Sequence, residues 1–224
     1  MPNPSSASVK KFLPLILATS IFMQMLDSTI LNTSLPSIAR DLQESPLNMQ
    51  NAIISYVLTL ALFMPVSGFL ADKFGTKKIF ILSLIIFMIG SLCCAVSQDL
   101  TQLVISRVIQ GLGGSLMTPV GRLALIKTYE KNELMKALNF AIIPALGPLV
   151  GGYMVDYLSW HWIFLINIPI GLLGLILSFK YMPDYRSQQI TFDLKGFLIF
   201  ASASLLLSIS LEMFGNTQHT TLIL

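Results

Sequence analysis

The chain of 224 residues is 54% hydrophobic and only 11% charged, with a formal net charge of +3 and a mean hydropathy of +0.74. A soluble domain carries about 25% charged residues. The composition therefore excludes an ordinary water-soluble domain and points to an all-α integral membrane protein, in which the placement of the charges says more than their sum.

A spanning helix needs about 20 mostly apolar residues. Seven segments qualify: residues 12–35, 50–70, 79–97, 100–121, 137–157, 161–180 and 196–214. The closing "TTLIL" would open an eighth. The first run exceeds the ~7–15 residues of a signal-peptide core and has no A-x-A-like site after it, so it is expected to stay as a span. Lys and Arg favour the cytoplasmic side. With the N-terminus inside, twelve of the fourteen Lys and Arg residues are cytoplasmic, Arg40 alone is outside and Arg107 lies within a span. Seven-span receptors and retinal proteins start outside, and the seventh span here has no lysine for a Schiff base. The expected location is a bacterial cytoplasmic (inner) membrane, multi-pass.

Span one carries one carboxylate, Asp27, in an otherwise uncharged run. Such a charge at mid-membrane costs about 2.5–3.5 kcal/mol on insertion scales and marks function by default. Gln24, Ser20 and Ser34 share its face at helical spacing, while Ile21 and Met25 lie elsewhere. Asp27 is thus expected to face a cavity between helices. Burial opposes its charge and a nearby cation favours it, so it suits the loading and unloading of a proton; a static hydrogen-bonded role is the alternative.

The joint between spans two and three reads "GFLADKFGTKK", residues 68–78. Gly68 is expected to let two helices approach closely, and Gly75 to permit a tight turn. Asp72 stands between them, and Lys77 and Lys78 enter span three. The adjacent Cys93 and Cys94 read as small packing residues, since neighbouring cysteines seldom bridge each other. Span four holds "LVISRVIQGLGGS", with Arg107 as a buried cation, Gln110 and Gly111 on its face, and Gly111 and Ser115 as a small-residue pair for packing. In span five, Gly147 and Gly151 form a G-x-x-x-G contact, while Pro148 and Gly152 soften the helix. At the outer surface before span six, Trp160 and Trp162 in "LSWHW" (158–162) read as an interfacial aromatic belt; in span six, Asn167 and Pro169 read as a kink whose freed carbonyl a polar neighbour satisfies. No segment fits a Walker loop or a dinucleotide fingerprint, His161 and His219 form no metal set, and nothing suggests an enzyme or a nucleic-acid partner.

On these motifs the chain resembles the major facilitator superfamily. Gly68, Leu70, Ala71, Asp72, Lys73, Gly75, Lys77 and Lys78 match its signature loop; the resemblance implies a conformational latch of Gly68, Asp72, Gly75, Lys77 and Lys78, with the Asp against a helix terminus or a basic residue. Arg107, Gln110 and Gly111 match a motif implicated in proton coupling, for which a structural ion pair is the alternative. Gly147, Pro148, Gly151 and Gly152 match the end of the antiporter motif, although "NFAIIPAL" stands where the family carries further glycines. "LDSTILNTSLP" and "SWHWIFLINIPIG" resemble the fourteen-span drug:proton antiporters of the EmrB/QacA branch, and within it the MdtD type.

The resemblance implies a six-helix N-terminal bundle over residues 1–182, a cytoplasmic linker at 183–195, and a seventh span with the start of an eighth over 196–224. It implies proton-coupled export of drugs or other small amphipathic compounds, with Asp27 and Arg107 in coupling, Gln24 and Gln110 lining a cavity, and the proton gradient as energy source without a cofactor. Family members rock two bundles against each other around a midplane site, and one bundle is present here. Three expectations follow: an N-terminal half without transport of its own, a half-transporter paired with a separate C-terminal half or a second copy, or a non-transporting membrane scaffold. The expected partners are a small-molecule substrate, membrane lipid and that second half.

Overall fold

A computed structural model of the chain describes residues 6–142, 159–187 and 191–221. Every regular element among them is a helix: α1 (Ser6–Asp41), α2 (Pro46–Phe63), α3 (Val66–Phe74), α4 (Thr76–Ala95), α5 (Leu100–Thr128), α6 (Lys131–Ile142), α7 (His161–Leu165), α8 (Asn167–Tyr181) and α9 (Leu194–Thr221). The all-α membrane fold expected from composition is the fold found. Five stretches among the described residues are long and apolar enough to cross a membrane: Ala7–Thr29, Pro46–Phe63, Thr76–Ala95, Leu100–Thr128 and His161–Tyr181. Most of the expected fifth span, 137–157, lies outside the described residues.

The chain forms two compact units, Met1–Ile190 and Thr191–Leu224. In the second, Asp193 starts α9 by accepting the Gly196 backbone N–H at 2.9 Å, which satisfies one of the donors a helix leaves open at its first turn. The apolar stretch expected to span, 196–214, falls inside α9.

In the first unit α4 and α5 make the most extensive pair, α5 also packs on α2 and α1, and α8 packs on α1 and α4. Two glycines set the α4–α5 distance. A Cβ on Gly90 would lie 2.5 Å from Gln110 Cα, and one on Gly113 would lie 2.7 Å from the Ser83 carbonyl oxygen. The close approach expected at Gly68 is not found there: a Cβ on Gly68 would meet nothing within 4 Å. A glycine in a sequence shows only that room was left, not what fills it.

Apolar side chains form two layers. One gathers Leu13, Leu17, Phe80, Phe87, Met117 and Val120; the other gathers Leu26, Ile38, Met49, Cys94, Leu103 and Phe164. Ser91, Arg107, Gln110 and Asn167 fall between these stretches along their helices, and Asp27 follows Leu26 at the start of the second stretch on α1; all five are 0–1% exposed. Trp160 is a member of the second layer, only 5% exposed, and its indole N–H donates to Asp41 at 2.7 Å. It is core rather than the belt residue expected; Trp162, 49% exposed, keeps the outward position.

Two spans are interrupted. The segment read as 50–70 breaks at Met64 and Pro65 between α2 and α3, because proline lacks the N–H and crowds the carbonyl one turn back. The sixth breaks at Ile166, three residues before Pro169. In that turn the Phe164 carbonyl accepts the Ser91 hydroxyl at 2.9 Å, so a polar neighbour does meet an interrupted turn.

Candidate functional site

Asp27 on α1 and Arg107 on α5 form an ion pair, with Nη1 2.6 Å from Oδ2. The side chains are 0% and 1% exposed. Gln110, one turn along α5, completes the contact: its Nε2 donates to Asp27 Oδ1 at 2.8 Å and its Oε1 accepts from Arg107 Nη1 at 2.7 Å. Arg107 Nε donates to the Ala52 carbonyl on α2 at 3.3 Å, and its guanidinium carbon lies 3.9 Å from the centroid of the Tyr56 ring. Ser91 on α4 accepts from Gln110 Nε2 at 3.4 Å and from Asn167 Nδ2 on α8 at 2.9 Å. Cys94 donates through Sγ to Gln110 Oε1 at 3.6 Å. Five helices thus meet on one polar cluster.

Taking two charges out of water costs several kcal/mol per ion, and only close geometry with further hydrogen bonds compensates. Those bonds are present here on both Asp27 oxygens. The expected polar face of α1 is real, since Ser20, Asp27 and Ser34 are all fully buried. Asp27 does not, however, face open space as expected: Arg107 and Gln110 fill the position. Gln24, placed beside it as a cavity-lining residue, instead donates to the Gly114 carbonyl at 3.2 Å and ties α1 to α5.

A second cluster sits at the α3–α4 joint. Gly75 has φ +102, a conformation that glycine alone adopts without strain. Asp72 Oδ1 meets Lys127 Nζ near the end of α5 at 2.8 Å, both partly exposed. Lys77 Nζ donates to the Phe179 carbonyl near the end of α8 at 2.7 Å, while Lys78 is exposed. Residues 183–187 lie back over this joint. Thr76 donates through Oγ1 to the Pro183 carbonyl at 2.8 Å and through its backbone N–H to the Tyr185 carbonyl at 3.1 Å. Tyr185 N–H returns a bond to Thr76 Oγ1 at 2.9 Å, and Ser187 N–H donates to the Asp72 carbonyl at 2.9 Å.

Residues 17–223 match the family model described as the Major Facilitator Superfamily. The chain belongs to this superfamily. Curated relatives from Salmonella dublin and Salmonella typhi, which carry the provisional name multidrug resistance protein MdtD, are 48% identical over 202 residues, covering 88% of this chain. The chain spans 43% of their length. Among solved structures, a peptide transporter POT in complex with sulfate superposes with a TM-score of 0.65 at 17% identity, over 90% of this chain and 46% of that one. A bacterial homologue of the human lysosomal transporter Spinster, inward-facing and unoccupied, gives 0.59 at 16% identity, over 84% and 46%. At these identities the structures speak for the fold alone.

Within this superfamily fold, the residues expected in coupling, Asp27 and Arg107, are brought into direct contact across 80 positions of sequence, with Gln110 between them. Of the expected loop residues, Asp72, Gly75 and Lys77 make specific contacts, and Gly68 and Lys78 stand apart. Gly147, Pro148, Gly151 and Gly152 lie outside the described residues. Gly111 packs where expected, with its Cβ position 2.9 Å from Thr59 on α2. Sequence reasoning missed Ser91, Tyr56, Lys127, Thr76 and Tyr185 as members of the two clusters. Each is an ordinary residue in its own segment, and only the helix packing selects it. Among the described residues no set of three or more His, Cys, Asp or Glu side chains is placed to hold a metal.

Proposed function

We propose that this chain forms one bundle of a proton-coupled exporter of drugs or other small amphipathic compounds. The observation that carries the reading is the buried Asp27–Arg107 pair held by Gln110. Protonation of Asp27 removes its charge and leaves the guanidinium without its counter-ion in a low-dielectric site, which favours a different arrangement of α1 and α5. A proton taken up on one side of the membrane and released on the other then drives the change, with the proton gradient as energy source and no cofactor. The substrate class rests on the multidrug-resistance name of the relatives.

The bundle acts with a second one, supplied by further sequence, a separate chain or a second copy. It sits in a bacterial inner membrane with its N-terminus in the cytoplasm, in keeping with the lysine and arginine distribution. Asp72 and Lys127 serve as the cytoplasmic latch between conformations.

The test is efflux of a cationic dye from cells that express this chain alone or together with the second bundle of a Salmonella relative. The expected result is efflux that requires both the second bundle and a pH gradient. Efflux from the paired chains that ignores the gradient would remove proton coupling, and no efflux from well-expressed pairs would remove the export reading.

A further inference from the structure

Arg107 meets groups on three helices, and they differ in kind. Asp27 on α1 supplies the counter-ion. Gln110, on α5 itself, accepts from Nη1 at 2.7 Å. The other two lie one turn apart on α2. The Ala52 carbonyl accepts from Nε at 3.3 Å, and the centroid of the Tyr56 ring lies 3.9 Å from the guanidinium carbon. Of these four, the aspartate alone loses its charge by taking up a proton.

Tyr56 is 2% exposed. Ring and cation therefore meet away from water, where a cation over an aromatic face is held more strongly than at a surface. The contact belongs to the ring. The hydroxyl has no hydrogen-bond partner among the described residues, and a buried hydroxyl without one costs free energy rather than adding any. Packing keeps the ring in place. A Cβ on Gly111 would lie 3.1 Å from the Tyr56 carbonyl oxygen, and one on Gly114 would lie 3.2 Å from the Tyr56 hydroxyl. Two glycines of α5 thus admit the Tyr56 backbone and the far end of its side chain, and α5 packs more extensively on α2 than on α1. None of these contacts needs a charge on Asp27.

We infer that Tyr56 is a positioning residue for Arg107: its ring keeps the guanidinium seated against α2 when Asp27 is neutral. The tie that loss of charge weakens is then the one to α1, and Arg107 stays with α2 and α5. This deepens the coupling reading and rests on it only for the step at which Asp27 loses its charge.

The test reads the guanidinium directly, by magnetic resonance of the intact chain with isotope-labelled arginine in lipid nanodiscs. Arg40, Arg122 and Arg186 are exposed and Arg107 is buried, so the Arg107 Nε–H is the one that exchanges slowly with solvent. An aromatic ring shields protons held over its face. Tyr56→Leu should therefore move this resonance downfield, and Tyr56→Phe should leave it nearly in place. With Asp27→Asn standing in for the neutral carboxyl, Tyr56→Leu should give a downfield shift of similar size, because the guanidinium is still over the ring. Tyr56→Leu should also lower the melting temperature more in the Asp27→Asn background than in the parent, since Arg107 then has fewer partners left. A ring that only fills space gives equal losses in both backgrounds, as independent contributions add. Equal losses overturn the inference, and so does an unmoved resonance on replacing Tyr56 in either background. Where the double variant does not fold, Asp27→Asn alone decides. A nuclear Overhauser contact between the Tyr56 ring and the Arg107 side chain supports the seat, and its absence overturns it. No readout involves transport, so failure here is separable from failure of the export reading.

Discussion

Arg107 Nη1 and Asp27 Oδ2 lie 2.6 Å apart with both side chains closed off from solvent. Their helices meet at a level where α1, α2, α4, α5 and α8 all contribute a polar group or carbonyl to the same cluster. The pair has a definite energetic character. Removing one partner of a buried ion pair costs about 3–5 kcal/mol, whereas replacing both by apolar residues is often neutral or better.

That asymmetry makes the first prediction. Arg107→Leu and Asp27→Leu should each lower thermal stability markedly, by about 3–5 kcal/mol, since each strands the other charge. The double variant should be more stable than either single. Thermal unfolding of the purified chain in nanodiscs checks this. Losses that simply add in the double variant would mean the two charges do not compensate each other.

A second prediction separates two glycines that look alike in sequence. Gly113→Ala forces a Cβ to within 2.7 Å of the Ser83 carbonyl oxygen. Overpacking of this kind costs about 1–3 kcal/mol, and α4 and α5 should separate or the chain lose heat resistance. Gly68→Ala meets nothing within 4 Å and sits inside helix α3, so it should be neutral or stabilise by about 0.5–1 kcal/mol through helix propensity. Melting curves of the two variants compare directly.

How much of this could be read beforehand follows a physical line. The all-α character and the polar face of span one were legible, because composition and 3.6-residue periodicity are local properties. Asp27 and Arg107 stood out singly, as charges among apolar residues do. Their contact did not, because it depends on how two helices 80 residues apart cross. Trp160 reads as an aromatic belt from its position near a span end, and only its bond to Asp41 and its burial against Phe164 reveal a core role. Residues 183–187 read as linker because they are polar. Their backbone is nonetheless committed to Thr76 and Asp72.

The third prediction concerns topology. Reporter fusions at Ser97 and Lys131 should be external and cytoplasmic respectively, following the Lys and Arg count. Cytoplasmic activity at Ser97 with external activity at Lys131 would invert the map.

The Asp72–Lys127 contact is partly exposed, so its worth as an ion pair is modest, about 0–1 kcal/mol and screened by salt. Its role as a latch would lie in timing rather than in stability. With a second bundle present, Asp72→Asn should lower transport while substrate binding stays nearly unchanged. The charge swap Asp72→Lys with Lys127→Asp should recover part of the rate. Equal loss of binding affinity, or no recovery in the swap, counts against a latch.

The last prediction takes the proton-coupling reading to its sharpest point. Asp27→Asn keeps the shape of the side chain and an acceptor for Arg107, but it fixes the group as neutral. Its carbonyl can still accept from Arg107, but its NH2 then faces Gln110 Nε2, so one hydrogen bond and the counter-ion are lost and the variant should reach the membrane at a somewhat lower level than the parent. It should nevertheless fail to export dye against its gradient when paired with the second bundle, because no group at this position can change charge between the two faces of the membrane. Asp27→Glu can still titrate, yet its extra methylene must fit where the Oδ2–Nη1 distance is already 2.6 Å. Partial activity is expected from it. Dye export under an imposed pH gradient, with membrane levels matched, checks both variants together. If Asp27→Asn exports as well as the parent, the pair is a structural tie between α1 and α5, and the proton is carried elsewhere.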